Sequence, residues 1–476
     1  MNKSSLNKPA VWCFTTYFTE GFPFGIVRTI ISVFFTDIGM SERHIGYLNI
    51  LGVPWNLKFL WAPIVDIFGS KRRWMQSVQM MIALLTAIIA VLCFTAGNVH
   101  GHHIPNSIFV FLFAAMAFIA ATNDIVIDGY YMEGLTDPRD QAAYTGYRVF
   151  AYRLALIAEK LGIIYLVGII AKHISGGNMY SAWGYGFSAG AVTMGLFASY
   201  HLFALPKFDT IQRTVKTVQS VVHDFLESFS TYLEISEKRS FIALASGIVI
   251  CIATCIIMVL FKFEIILSIN LGILAALFAL TIQAKPAIAL SLLFIIFYKV
   301  GDEIIFSMGT TFLKRYLLVS NIQLAWMSGL IGLSGSIVGT TIGGLWIKKT
   351  GLKKAIWPLT LLMNVNILAY IWLAWQRPYA TALSGMLTIG TVYCYEQIAA
   401  GLGNAVLIVY ILQTCKKEFK AGHYAIGSAF MSVFSTIFGT FSGIIVERMG
   451  YTNLFLIGFL ATFPAMALMF FVKIRE

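Results

Sequence analysis

Asp124 and Asp128 stand four residues apart in a long apolar run, so on a helix they share one face. Two carboxyls brought together out of water favour keeping a proton between them, which is the chemistry a carrier needs to pick up and release a proton. Arg153 and Lys160, seven apart, share a face of the next run. Arg28, Lys58, Arg148 and Lys299 are further cations in apolar surroundings, and Glu20, Glu159, Asp302, Glu303 and Glu396 are further acids. A charge facing lipid costs about 3 kcal/mol at mid-helix, so these groups must line a wet cavity or pair with one another. We expect Arg28, Lys58, Arg153, Lys160, Lys299 and Glu396 to bind an anionic substrate, and Glu20, Asp124, Asp128 and Asp302 to carry protons. A static ion pair that only locks helices together competes as the account of any one pair. For the set a shared cavity between two helical halves is favoured, because fully paired buried ions seldom add net stability.

The elements that must position these groups follow from composition. The chain has 476 residues, 58% of them hydrophobic and 12% charged, against roughly 25% charged in soluble domains. Apolar runs at 11–36, 44–66, 74–96, 107–134, 144–171, 183–205, 241–260, 264–283, 287–313, 321–347, 355–374, 379–412, 423–446 and 452–473 predict fourteen membrane-crossing helices. This is an all-α polytopic membrane protein in the lipid bilayer, and secreted, disordered and disulfide-scaffold classes are excluded. The first run carries Glu20 and Arg28 and lacks a cleavage pattern, so it is expected to stay as an anchor. Lysine and arginine in alternate loops outnumber those on the other side about three to one, which places both termini in the cytoplasm. That bias accounts for most of the net charge of +12, so no nucleic-acid partner is expected. The six cysteines form no CxxC pair and read as small core hydrophobes. His100, His102 and His103 sit in an outer loop without a fourth ligand, so no metal site is expected. The absence of P-loop, HExxH and GxSxG patterns removes support for an ATP-driven or hydrolytic machine, and no cofactor is expected.

The two ends of the chain echo each other. A shift of about 282 positions lays Phe68-Gly69-Ser70-Lys71-Arg72 on Thr350-Gly351-Leu352-Lys353-Lys354, and brings Asp302 to the place of Glu20. Parallel halves of six spans each are a transporter architecture. The division expected is 1–206 for the first six-helix bundle, 207–240 for a cytoplasmic amphipathic linker, 241–284 for two added spans packed toward lipid, and 285–476 for the second bundle. Glu20-Gly21-Phe22-Pro23-Phe24-Gly25 and Lys299-Val300-Gly301-Asp302-Glu303 interrupt matching spans, the usual pointer to a central binding site. At the cytoplasmic rim, Asp66, Arg72, Glu133 and Arg148 are expected to form a gate, the acidic and basic loop residues pairing with the end of the fourth span and with Arg148.

Ile45-Gly46-Tyr47 through Leu51-Gly52 to Lys58-Phe59-Leu60-Trp61-Ala62-Pro63 and Asp66 resembles the second span of AmpG-type muropeptide permeases. Asn123-Asp124-Ile125-Val126-Ile127-Asp128 resembles their fourth span and Tyr152-Arg153-Leu154 their fifth; Tyr298-Lys299-Val300-Gly301-Asp302, Thr311-Phe312-Leu313, Glu396 and Gly401-Leu402-Gly403 extend the similarity into the second half. The resemblance, to the peptide–acetyl-coenzyme A transporter family of the major facilitator superfamily, covers most of the chain outside the linker and the added pair. It implies a major-facilitator fold with two extra spans and proton-linked uptake of anhydro-muropeptides, sugar-peptide fragments of cell-wall turnover that feed recycling and β-lactamase induction. It also implies functional roles for Lys58, Asp124, Asp128, Arg153, Lys299, Asp302 and Glu396. Glu20, Glu159-Lys160 and Glu303 depart from the family pattern, which has small residues there.

The expected function is therefore proton-coupled uptake of a bulky anionic small molecule across the inner membrane by a monomer, through alternating access. Muropeptide is the first substrate and acetyl-coenzyme A or another anionic metabolite the second. A non-transporting membrane sensor and a membrane enzyme are the competing classes.

Overall fold

The computed structural model describes residues 8–58, 61–67, 69–98, 104–208, 218–416, 418 and 420–474. Their secondary structure is helical. In chain order the α-helices are α1 (Pro9–Gly25), α2 (Ile31–Asp37), α3 (Glu42–Tyr47), α4 (Val53–Leu57), α5 (Ala62–Ile67), α6 (Lys71–Asn98), α7 (Asn106–Gly134), α8 (Pro138–Glu159), α9 (Tyr165–His173) and α10 (Met179–Ala204). There follow α11 (Val218–Leu233), α12 (Glu237–Leu260), α13 (Ile265–Gln283), α14 (Pro286–Tyr298), α15 (Val300–Thr311), α16 (Asn321–Trp326), α17 (Leu333–Thr350), α18 (Leu352–Gln376), α19 (Leu383–Thr414), α20 (Lys420–Leu460) and α21 (Phe463–Leu468).

Eleven helices among the described residues are long and apolar enough to cross a membrane. The three fewer than the fourteen apolar runs have local causes. The run at 44–66 is broken into short pieces around a 3-10 turn at Leu48–Gly52. Lys299 leaves helical geometry at φ −102° and ψ 2°, dividing the run at 287–313 into α14 and α15. The last two runs are two helices that meet without a loop at Gly450, so α20 spans both; the Gly450 φ of 80° lies in the left-handed region that only glycine enters at little cost. Phe241, Ile248, Val249, Ile252, Ile256 and Leu260 point outward from α12. Exposed to water such a stripe would invite aggregation; in a bilayer it is the surface required.

The chain divides into two compact units that exchange short segments: residues 1–40, 57–218 and 320–330 form one, and residues 41–56, 219–319 and 331–476 the other. In the first unit α6 and α10 pack along their lengths, and α1 lies against α8 and α7. Phe34 sits in a nest of Phe35, Phe109, Phe113, Trp183 and Phe187, and Asp37 at the end of α2 accepts hydrogen bonds from Trp183 Nε1 (2.9 Å) and Asn321 Nδ2 (2.8 Å).

In the second unit, α3 and the 3-10 turn pack on α20. Asn49 Nδ2 donates to Ser307 Oγ at 2.7 Å there. The C-terminal end of the linker helix α11 is covered: Phe229, Tyr232 and Leu233 join a core cluster with Leu280, Leu292, Ile296, Phe430 and Phe434. Residues 209–217 of the expected linker lie outside the described residues.

The interruption in the first span is not a break at Glu20–Gly25. The helix runs on through Pro23 and widens to a π turn at Ile26–Ile30. Proline carries no N–H, so the carbonyl four residues earlier, at Thr19, loses its helical donor. Asn123 Nδ2 replaces it at 3.0 Å. Gln79 Nε2 donates to Thr19 Oγ1 (2.9 Å) and to Asn123 Oδ1 (3.3 Å), and Gln79 Oε1 lies 2.6 Å from His201 Nδ1. This buried network ties α1, α6, α7 and α10 at the level of the charged residues.

Asn123→Leu is therefore expected to lower unfolding stability by about 1–3 kcal/mol, the cost of stranding buried polar groups. Adding Pro23→Ala returns an N–H to the Thr19 carbonyl and should recover part of that loss. Thermal unfolding of the single and double variants in detergent checks this, and equal midpoints for the two would contradict it.

Candidate functional site

In the first unit three helices bring opposite charges together. Helix α7 carries Asp124 and Asp128 one turn apart on the face predicted from their spacing. Helix α1 lays Tyr17 and Glu20, three residues apart, against that face, and α8 brings Arg148. Lys58, just beyond α4, completes the group: its Nζ donates to Asp124 Oδ2. Glu20, half-buried on α1, adds a third carboxyl group at this level, and its Oε2 has no hydrogen-bond partner among the described residues. Tyr17 Oη donates to Asp128 Oδ1 at 2.7 Å, and Arg148 Nη2 donates to that same oxygen at 2.9 Å. The Arg148 guanidinium lies 4.3 Å from the Tyr17 ring centroid and 4.4 Å from that of Tyr131, a double cation–π contact that fixes its plane.

Several sequence expectations change here. Arg148, assigned to the gate, is the partner of Asp128 instead, because α8 presents it at the level of that carboxylate. The Arg153–Lys160 face does not supply the ion-pair partners of the acid face. Arg153 is half-buried and makes no hydrogen bond or ion pair among the described residues. Lys160 is half-buried at the start of a π turn, Lys160–Ile164, with its stem beside Gly329. Arg28 lies half-buried on the π turn of the first span. Arg72 also differs from its expected role, since its Nε and Nη2 donate to the carbonyls of Leu205 and Leu202, each at 3.0 Å. It satisfies acceptors that the end of α10 leaves without N–H partners. Lys71 Nζ donates to the Val65 carbonyl at 3.1 Å. Glu133 is half-buried near the end of α7. The Asp66 side chain and His100, His102 and His103 fall outside the described residues.

The second unit holds its own charged set. Lys299 sits at the break between α14 and α15, with Nζ 3.4 Å from Asp302 Oδ2 and 3.9 Å from Glu303 Oε1. Its non-helical backbone turns the ammonium back over the first turn of α15, where acids also complement the helix dipole. Glu396, buried on α19, accepts from Gln397 Nε2 at 2.6 Å. Asp302 thus belongs with Lys299, while Asp124 and Asp128 belong with Lys58 and Arg148.

Spacing did not reveal a further cluster in this unit. Arg43 pairs with Glu447 at 2.6 Å and with Glu264 at 3.0 Å, and Arg315 pairs with Glu42 at 2.9 Å. A hydrogen bond from Tyr47 and the neighbouring Arg43 hold the Glu264 carboxyl below the usual range. The turn between α12 and α13 is thus tied by Glu264 to Arg43. Among the described residues no group of three or more His, Cys, Asp or Glu is arranged to hold a metal.

With this geometry in view, the comparisons with known proteins are specific. Residues 12–149 match the family model described as Acetyl-coenzyme A transporter 1, a stretch that contains Tyr17, Glu20, Lys58, Asp124, Asp128 and Arg148. The chain is 24% identical to the putative transporter AmpG 4 of Rickettsia felis over 95% of this chain and 94% of that protein. It is 22% identical to the anhydromuropeptide permease of Escherichia coli K12 over 95% of this chain and 77% of the permease. Among solved structures, the POT family transporter PepTSo is similar with a TM-score of 0.66 at 11% identity, over 98% of this chain and 97% of that one. The fold is that of the major-facilitator transporters, and the chain is a multi-pass membrane transporter with AmpG-like relatives.

The Lys58–Asp124 pair is expected to show a coupling energy of about 0.5–3 kcal/mol in a double-mutant cycle of Lys58→Met and Asp124→Asn, read from denaturant unfolding. Strict additivity of the two substitutions would mean that the contact contributes nothing.

Proposed function

We propose that the protein is a proton-coupled importer of a bulky anionic solute, with anhydro-muropeptide as the first substrate, in the inner membrane with both termini cytoplasmic. The observation that carries this reading is the division of charge in the first unit: Lys58 pairs with Asp124 and Arg148 with Asp128, with Glu20 at the same level, while Arg153 makes no hydrogen bond or ion pair among the described residues. Adding a proton to Asp124 removes the charge that holds Lys58, and adding one to Asp128 removes the charge that holds Arg148. Each proton taken up therefore frees a cation. A freed Lys58 or Arg148, together with Arg153, can then hold an anionic group of the solute. Proton and anion binding support one another, as coupling requires: a solute that bound both conformations equally would shift neither. Tyr17 and Tyr131 keep the Arg148 plane in place when its ion pair is lost. The name and coverage of the Escherichia coli permease support the muropeptide substrate.

A second substrate has its own support. The family model that matches residues 12–149 is named for acetyl-coenzyme A, whose phosphates also present several negative charges. A free Arg153 suits either anion, so substrate choice falls to the surrounding shape.

In proteoliposomes with an imposed pH gradient, Asp124→Asn or Asp128→Asn is expected to abolish uphill accumulation of labelled anhydro-muropeptide, with folding in the membrane kept. Full uphill uptake by both variants would remove the proton role. Arg153→Ala is expected to raise the half-saturating solute concentration about tenfold or more, the scale of one charge-assisted hydrogen bond. Running acetyl-coenzyme A in parallel separates the two substrates, and binding without accumulation would identify a sensor instead.

A further inference from the structure

The acid cluster leaves one carboxyl group unused. Glu159 is fully buried at the end of α8, and neither of its carboxyl oxygens has a hydrogen-bond partner among the described residues. It is pressed against the first span: a Cβ placed on Gly25 would fall 1.9 Å from Glu159 Oε2 and 2.0 Å from Oε1. Only glycine leaves room for the carboxyl group there. Both helices change winding at this contact. The π turn Ile26–Ile30 begins at the residue after Gly25, and the π turn Lys160–Ile164 begins at the residue after Glu159. Gly329, in the same unit, packs on Leu161 and Lys160 of the second of these turns. Wide turns of this kind loosen a helix locally and let it re-form in another register.

We propose that Glu159 is a second proton-carrying site, neutral while it is pressed against Gly25, and able to ionise only when the two π turns part. An ionised carboxylate enclosed without a hydrogen-bond donor is strongly disfavoured, because its two desolvated oxygens go unanswered. A carboxylic acid, with the charge removed, tolerates the same enclosure far better. A metal ion would need a shell of oxygen ligands, and the contact with Gly25 leaves no volume for one, whereas a proton needs none. The charged groups on the elements packed around this contact are Glu20 and Arg28 on the first span and Arg153 and Lys160 on its own; α10 contributes no charged side chain, and its His201 is engaged by Gln79. Lys160 follows Glu159 directly in sequence and is the cation nearest at hand when the acid ionises. On opening, Glu159 passes its proton to water, leaving a carboxylate and a hydronium ion; on closing it must regain one. Proton occupancy and the closed contact are therefore two sides of one equilibrium.

This inference rests on the reading of the chain as a proton-coupled importer, and its test separates the two. Infrared difference spectra of the full-length protein in liposomes, between acid and alkaline buffer, should show a protonated-carboxyl band at neutral pH that is missing in Glu159→Gln. Superimposable spectra would overturn the proposal whatever the transport result. Gly25→Ala, which forces the carboxyl out of its place, should remove or shift the band and serves where Glu159→Gln does not fold; an unchanged band in that variant would overturn the proposal as well. In proteoliposomes without a membrane potential, each coupled proton contributes a tenfold limiting accumulation per unit of pH gradient. Glu159→Gln should therefore accumulate labelled anhydro-muropeptide about tenfold less at one unit, with solute exchange at zero gradient retained, and wild-type accumulation in this variant counts against the coupling role. Should the wild type itself not accumulate solute, the importer reading fails while the infrared band still decides whether Glu159 holds a proton.

Discussion

The constraint on which the rest depends is that charge inside an apolar helix must be answered by protein or water, because lipid offers nothing. A single unanswered charge at mid-membrane costs about 3 kcal/mol, a sizeable part of the 5–15 kcal/mol that keeps a typical domain folded. Each ionisable group within a span therefore commits the surrounding helices to an arrangement. Asp124 commits the segment carrying Lys58, and Asp128 commits α8 through Arg148 and α1 through Tyr17. Such pairs add little net stability, since desolvation offsets most of the attraction. What they add is dependence: remove the charge from one partner and the other must find a new one.

The same dependence explains why the irregular backbone lies beside the charges. Pro23 deprives Thr19 of a donor, and the amide of Asn123, next to Asp124, fills the gap. The Lys299 backbone leaves the helix where its side chain turns toward Asp302. Helices tolerate these defects only because neighbouring side chains satisfy the freed groups. Each defect then marks a place where a change in partner can alter the helix itself, and such places are suited to a protein that must adopt more than one conformation.

Much of this was legible in the chain. Apolar runs gave helix positions to within a few residues, since in a membrane both the length and the polarity of a span are tightly bounded. The four-residue spacing of Asp124 and Asp128 located the acid face correctly. Spacing could not say which cation would meet that face, because the choice between Arg148 and Arg153 depends on the axial offset between α7 and α8, which no single helix encodes. Glycine and proline marked the first span as irregular, yet the irregularity is a π turn beginning after Gly25, a feature without a residue signature of its own. Nor did the sequence show that Arg72 serves the carbonyls of Leu202 and Leu205, since backbone acceptors are invisible to a search for opposite charges. The outer cluster of Arg43, Glu264 and Glu447 joins residues more than 200 positions apart in sequence, beyond any local rule.

The placement of unpaired groups sharpens the division of labour. Among the described residues Arg153 is a cation without an ion pair and Glu159 an acid without a hydrogen-bond donor, yet both lie on one helix less than two turns apart. Had the two been selected only for stability, the simplest remedy would be to bring them together or to replace both with apolar residues of similar volume. Keeping them apart suits the roles proposed for them, in which one group meets an external anion and the other a proton. A structural ion pair requires neither. Two unmet requirements of opposite sign, held on the same element, are what a carrier of anions and protons needs and what a static scaffold would lose.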